Sequence, residues 1–91
     1  MKLNGREASI LVIIAGAEMY VEGPKPIRLS ETYTLDIKNS PAVDAFIKRL
    51  RNKEGIWMQN AIRKSNADPD ELYEECEALA KRLEQERPHG A

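Results

Sequence analysis

Read for the alternation of apolar and polar positions, the chain falls into an N-terminal part with the period of strands and a C-terminal part with the period of helices. Residues 8–15 hold the apolar run Ile10-Leu11-Val12-Ile13-Ile14, with hydrophobic side chains at odd and even positions alike. β-branched residues dominate this run, and the pattern predicts a central strand buried on two faces. Residues 17–22 alternate, with Ala17, Met19 and Val21 opposite Glu18, Tyr20 and Glu22, so Ala15-Gly16 reads as a hairpin turn or a bulge in one longer strand. Gly23-Pro24-Lys25-Pro26 is a firm break, because its prolines remove backbone donors. Residues 27–38 alternate once more, Tyr33, Leu35 and Ile37 opposite Thr32, Thr34 and Asp36, as a half-exposed third strand should.

From Asn39 onward the period changes. Ser40 is placed to cap a helix, Pro41 suits its first position, and Val43, Phe46, Ile47 and Leu50 form an apolar stripe. The stripe resumes at Trp57, Met58, Ala61 and Ile62, in phase with Leu50, so residues 41–64 predict either one helix running through Gly55 or two that break there. Trp57, being in phase, is expected in the core. Ser65-Asn66-Ala67 is a turn. Asp68-Pro69-Asp70-Glu71 then combines a cap, a proline at the first position and an acid two residues later. The helix it starts, residues 69–86, carries Leu72, Tyr73, Cys76, Leu79, Ala80 and Leu83 at steps of three and four, and residues 87–91 form a tail. The expected fold is α+β: a single domain over residues 1–91, with a small antiparallel three-stranded sheet followed by two helices packed on one of its faces.

Composition narrows the function. Ninety-one residues support one core but leave little room for an enclosed substrate pocket. Cys76 is the only cysteine and His89 the only histidine, so neither a disulfide nor a zinc site can form within the chain, and a cytoplasmic setting is expected. Lys2, Arg6, the apolar run and Ala15-Gly16-Ala17 resemble a secretory signal, but Glu7 interrupts the basic region and the strand reading is preferred. No stretch approaches the ~20 apolar residues of a membrane span. No phosphate-binding glycine loop is present, and no histidine accompanies Cys76, so neither catalysis nor a cofactor is expected.

Charge is segregated. Residues 48–64 carry six basic groups against Glu54, while residues 65–91 carry eight acids against Lys81, Arg82 and Arg87, although the whole chain is only −1. Opposite blocks of this kind either lie against each other or each face a partner. If the two helical segments pack antiparallel, the cations of the first should meet the carboxylates of the second.

Two readings of function follow. The first is a non-catalytic protein–protein interaction module, a small regulator or inhibitor; β-β-β-α-α chains of this size recur among unrelated adaptors and phage or mobile-element proteins. If both helices cover one sheet face, the other exposes apolar side chains of the two-sided first strand. Either Ile10, Val12 and Ile14 or Leu11 and Ile13 must then be covered from elsewhere, and Ile10, Val12 and Ile14, with Tyr20, Thr32 and Thr34 beside them, are the candidate interface residues for a protein partner or a second copy forming a homodimer. The alternative is a nucleic-acid-binding regulator using Lys48, Arg49, Arg51, Lys53, Arg63 and Lys64. Against it, these cations do not share one narrow helical stripe.

Overall fold

The first ten or so residues decide the architecture. The computed structural model of the chain describes residues 1–87; residues 88–91, which include His89 and most of the expected tail, lie outside them. Within the described part the chain is α+β, with a three-stranded antiparallel sheet and four helices. A short strand β1 (Lys2–Asn4) leads directly into a helix α1 (Gly5–Ala15). The expected strand over residues 8–15 is therefore a helix, and the reason is local. Asn4 accepts a hydrogen bond from the Glu7 backbone N–H at 2.8 Å, while the Glu7 carboxylate accepts from the Asn4 N–H at 2.9 Å. This reciprocal box satisfies two of the otherwise orphaned donors at a helix start. At the other end Gly16 adopts φ 68°, and the Gly16 and Ala17 N–H groups both close on the Leu11 carbonyl. A helix hydrophobic on most of its circumference belongs in an interior. Ala8, Ile10, Leu11, Ile14 and Ala15 of α1 are accordingly buried.

The sheet is short. A single 3₁₀ turn at Glu18–Tyr20 precedes β2 (Val21–Glu22), and β3 (Thr32–Leu35) occupies the centre in the order β1-β3-β2. The strands expected over residues 17–22 and 27–38 are thus trimmed, the first mostly to a 3₁₀ turn and the second to its middle. The loop between them, residues 23–31, is fastened by the buried Tyr33, whose hydroxyl accepts from the Arg28 N–H at 2.8 Å and donates to the Pro24 carbonyl at 2.6 Å. Register pairs Lys2 with Thr34, Leu3 with Tyr33, and Val21 with Leu35. Leu3, Val21, Tyr33 and Leu35 therefore face the core, and Lys2, Asn4, Glu22, Thr32 and Thr34 face solvent.

The remaining chain forms α2 (Ser40–Arg51), α3 (Ile56–Ser65) and α4 (Pro69–Glu86). Asn39, rather than Ser40, caps α2, its side chain accepting from Ala42 N–H at 3.1 Å. The segment 41–64 is two helices. Asn52 ends the first, its carbonyl receiving the Gly55 N–H at 3.1 Å, and Gly55 in extended conformation (φ −62°, ψ 146°) starts the second. α4 keeps the expected bounds, capped by Asp68. α2 packs along α4, and the break then turns α3 across to α1. Ion pairs give the α2–α4 orientation: Arg87 meets Asp44 near the start of α2, whereas Arg51 at its end reaches back to Glu77 and Glu84, so the two helices run antiparallel. None of the described helices is long and apolar enough to cross a membrane.

Candidate binding surface

Redirecting the chain at residues 52–55 decides which apolar side chains reach the surface. Met58 takes the core position in α3. Trp57, expected inside because it is in phase with Leu50, instead lies 43% exposed, because the break ends the register that the phase argument assumed. Ile56 beside it is 71% exposed, and across the gap Ile13 of α1 is 56% exposed. Between α1 and α3 lies a groove of about 460 Å³, with Ile10, Ile13 and Ile14 on one wall, Trp57 and Ala61 on the other, and Leu72 of α4 at one end.

Trp57 is held rather than loose. The Arg49 guanidinium sits over its ring at 5.2 Å from the centroid, and the same group donates to the Ala15 carbonyl at 2.8 Å, closing the C-terminus of α1. The ring edge also packs against Gly16, where a Cβ would come within 2.6 Å of Trp57 Cη2. A large aromatic that is fixed and still accessible has the properties of an interface anchor. Two smaller depressions continue the groove. One of about 220 Å³ lies behind Trp57, lined by Arg49, Ile56 and Met58; another of about 370 Å³ lies beyond Ile13, lined by Val12, Lys25, Pro26 and Ile27.

The polar rim of the main groove is one-signed. Arg6 and Lys64 contribute cations, Ser9, Asn60 and Ser65 are neutral, and the lining holds no carboxylate. Arg6 is anchored by Glu75, with bonds of 2.8 and 2.9 Å. That hydrogen-bonded guanidinium holds the Glu75 carboxyl below the ordinary range.

The residues expected at an apolar sheet face are scattered. Ile10, Val12 and Ile14 are on α1, with Ile10 and Ile14 buried and Val12 half-buried. Tyr20 is half-buried in the 3₁₀ turn, edge-on to Phe46 with centroids 5.4 Å apart. Thr32 and Thr34 are on the solvent face of the sheet, but their neighbours are Lys2, Asn4 and Glu22. That face is polar, so it lacks the apolar centre that motivated a sheet interface. Ile56, and the exposure of Ile13 and Trp57 on facing helices, were legible only through the Asn4–Glu7 box and the Gly55 break.

The six candidate cations also separate. Arg51 is fully engaged, donating to both oxygens of Glu77 and of Glu84 at 2.8–3.1 Å. Its bonds lower both carboxyl pKa values. Lys53 stands over the Tyr73 ring at 5.1 Å, and Arg63 donates to Asn60 at 2.7 Å. Lys48 is exposed on α2, whereas Arg49 and Lys64 border the two grooves flanking Trp57. The basic block is therefore divided among different surfaces, partly by the antiparallel pairing with α4.

Cys76 is buried and unpaired, and burial pushes its thiol up to about 11. It packs as a small hydrophobe. Among the described residues no group of three or more His, Cys, Asp or Glu side chains could hold a metal ion. Comparison of the chain with models of known protein families, with curated proteins and with solved structures finds no match.

Proposed function

We propose that the chain is a non-catalytic protein-interaction module, a small regulator or inhibitor that binds its partner through the α1–α3 groove. The observation that carries this reading is the pinned yet accessible Trp57, opposite Ile13 across an apolar groove. Contiguous exposed apolar surface costs solubility, and in a domain this small it is retained where something covers it. The groove replaces the sheet face as the binding surface. The same proposal keeps the chain in the cytoplasm, where a lone buried thiol needs no partner.

The test compares three proteins as bait in the native host extract: the unmodified chain, a groove variant (Ile13→Ser with Trp57→Ala) and a sheet-face variant (Thr32→Glu with Thr34→Glu). Circular dichroism first establishes that each is folded. Proteins retained by the unmodified and sheet-face baits but lost from the groove variant support the reading. Identical captured sets from all three, or loss only from the sheet-face variant, would overturn it.

A further inference from the structure

Resting on the groove as the binding surface, we infer the chemistry of its occupant: an amphipathic helix of a partner protein, with apolar anchors along one face and acidic residues flanking them. Three features converge on this occupant.

The first is shape. The depressions behind Trp57, between Trp57 and Ile13, and beyond Ile13 lie in series, each sharing a lining residue with the next. A compact ligand would occupy one of them; an elongated one spans all three. The groove walls, α1 of 11 residues and α3 of 10, are about 15 Å long at 1.5 Å per residue. This matches roughly three turns of a docked helix, whose side chains at i, i+4 and i+7 lie along the main groove.

The second is charge. Lys25, Arg49 and Lys64 line the series together with Arg6, whose charge is already met by Glu75, and Glu18 is the one acid in the lining, at its far end. Carboxylates beside the apolar anchors of the occupant meet this rim, whereas cations there would be repelled.

The third distinguishes the occupant from two alternatives. A second copy could offer its acidic α4, but the apolar stripe of that helix, Leu72, Cys76, Leu79 and Leu83, is buried in its own core. Symmetric packing of groove on groove would bring together two copies of the same carboxylate-free, cation-bearing lining. A single-stranded nucleic acid would want an open aromatic face for stacking. Here Arg49 covers one face of Trp57, and the walls are mainly aliphatic isoleucines.

The experiment uses the full chain and a displayed library of tryptophan-free helical peptides. Apolar residues are fixed at the i, i+4 and i+7 positions, and the flanking positions are drawn equally from Glu and Lys. Trp57 is the only tryptophan, so its emission reports occupancy of the groove directly. The expected result is enrichment of Glu-rich peptides that shift Trp57 emission to the blue and bind more weakly as salt is raised. Lys64→Glu, which leaves Lys25 and Arg49 on the rim, should weaken the preference for Glu. Enrichment without charge bias, or towards Lys, would overturn the acidic partner while leaving groove docking intact. No enrichment above that on an Ile13→Ser, Trp57→Ala protein would overturn both. Quenching of Trp57 by single-stranded DNA at concentrations below those of the best peptide would replace the helix by nucleic acid. A blue shift on simply concentrating the protein, with dimer formed in sedimentation, would assign the groove to a second copy.

Discussion

Substituting Gly16 by alanine tests the link between the end of α1 and the position of Trp57. Gly16 stands at φ 68°, where a side chain costs about 1–2 kcal/mol. The new methyl would also come within 2.6 Å of Trp57 Cη2, about 1 Å inside ordinary carbon–carbon contact. The ring is the far end of a side chain already 43% exposed, so it swings outward and the backbone stays. That swing gives up the stack with Arg49, worth about 0.5–1 kcal/mol at an exposed site. Together these put the loss at about 1.5–3 kcal/mol, a fall in Tm of roughly 6–24 °C for a domain of this size. Urea unfolding followed by circular dichroism measures the loss, and native-state Trp57 emission should move to the red. The decisive comparison is the same substitution in a Trp57→Ala background, where only the backbone contribution remains and the coupling should be about 1 kcal/mol. An equal cost in both backgrounds would refute the contact between ring and methyl. A cost below ~0.5 kcal/mol in the unmodified chain would refute the strain argument as well.

Two further outcomes are expected. In the folded chain Glu77 and Glu84 titrate below the ordinary carboxylate range because Arg51 donates to them; their contribution to stability is therefore present above that range and is lost as pH falls through the depressed folded values. Arg51→Ala should lower Tm modestly near pH 7, with the difference closing below about pH 4 and shrinking in ~0.5 M salt; a deficit independent of both would refute the electrostatic origin. Tyr33→Phe strands the Arg28 N–H and the Pro24 carbonyl, and should cost about 1–3 kcal/mol. Amide exchange at Arg28 should accelerate, and unchanged protection there would show that the hydroxyl does not hold the loop.

What the sequence determined alone is what local chemistry determines. Asp68 and Pro69 start α4 where they predict it, its stripe from Leu72 to Leu83 is buried, and the alternation of Tyr33 and Leu35 with Thr32 and Thr34 sets the two faces of β3. The α+β class and strand β3 follow from such signals, whereas the sheet takes β1, Lys2–Asn4, in place of the strand expected over residues 8–15. The run Ile10–Ile14 was ambiguous because a helix buried around most of its circumference and a strand buried on two faces have the same composition. The Asn4–Glu7 box and Gly16 at the helix end carried the resolving signal, outweighing the β-branched preference. Only the tertiary structure decided the rest. A helix in place of the expected central strand packs under α2 and α3, leaves the outer sheet face polar, and moves the apolar surface to the α1–α3 groove. The break at residues 52–55 lets α2 follow α4 while α3 turns to α1, and so brings Trp57 outward. Periodicity reports which residues share a face of one element, whereas exposure depends on whether another element covers that face.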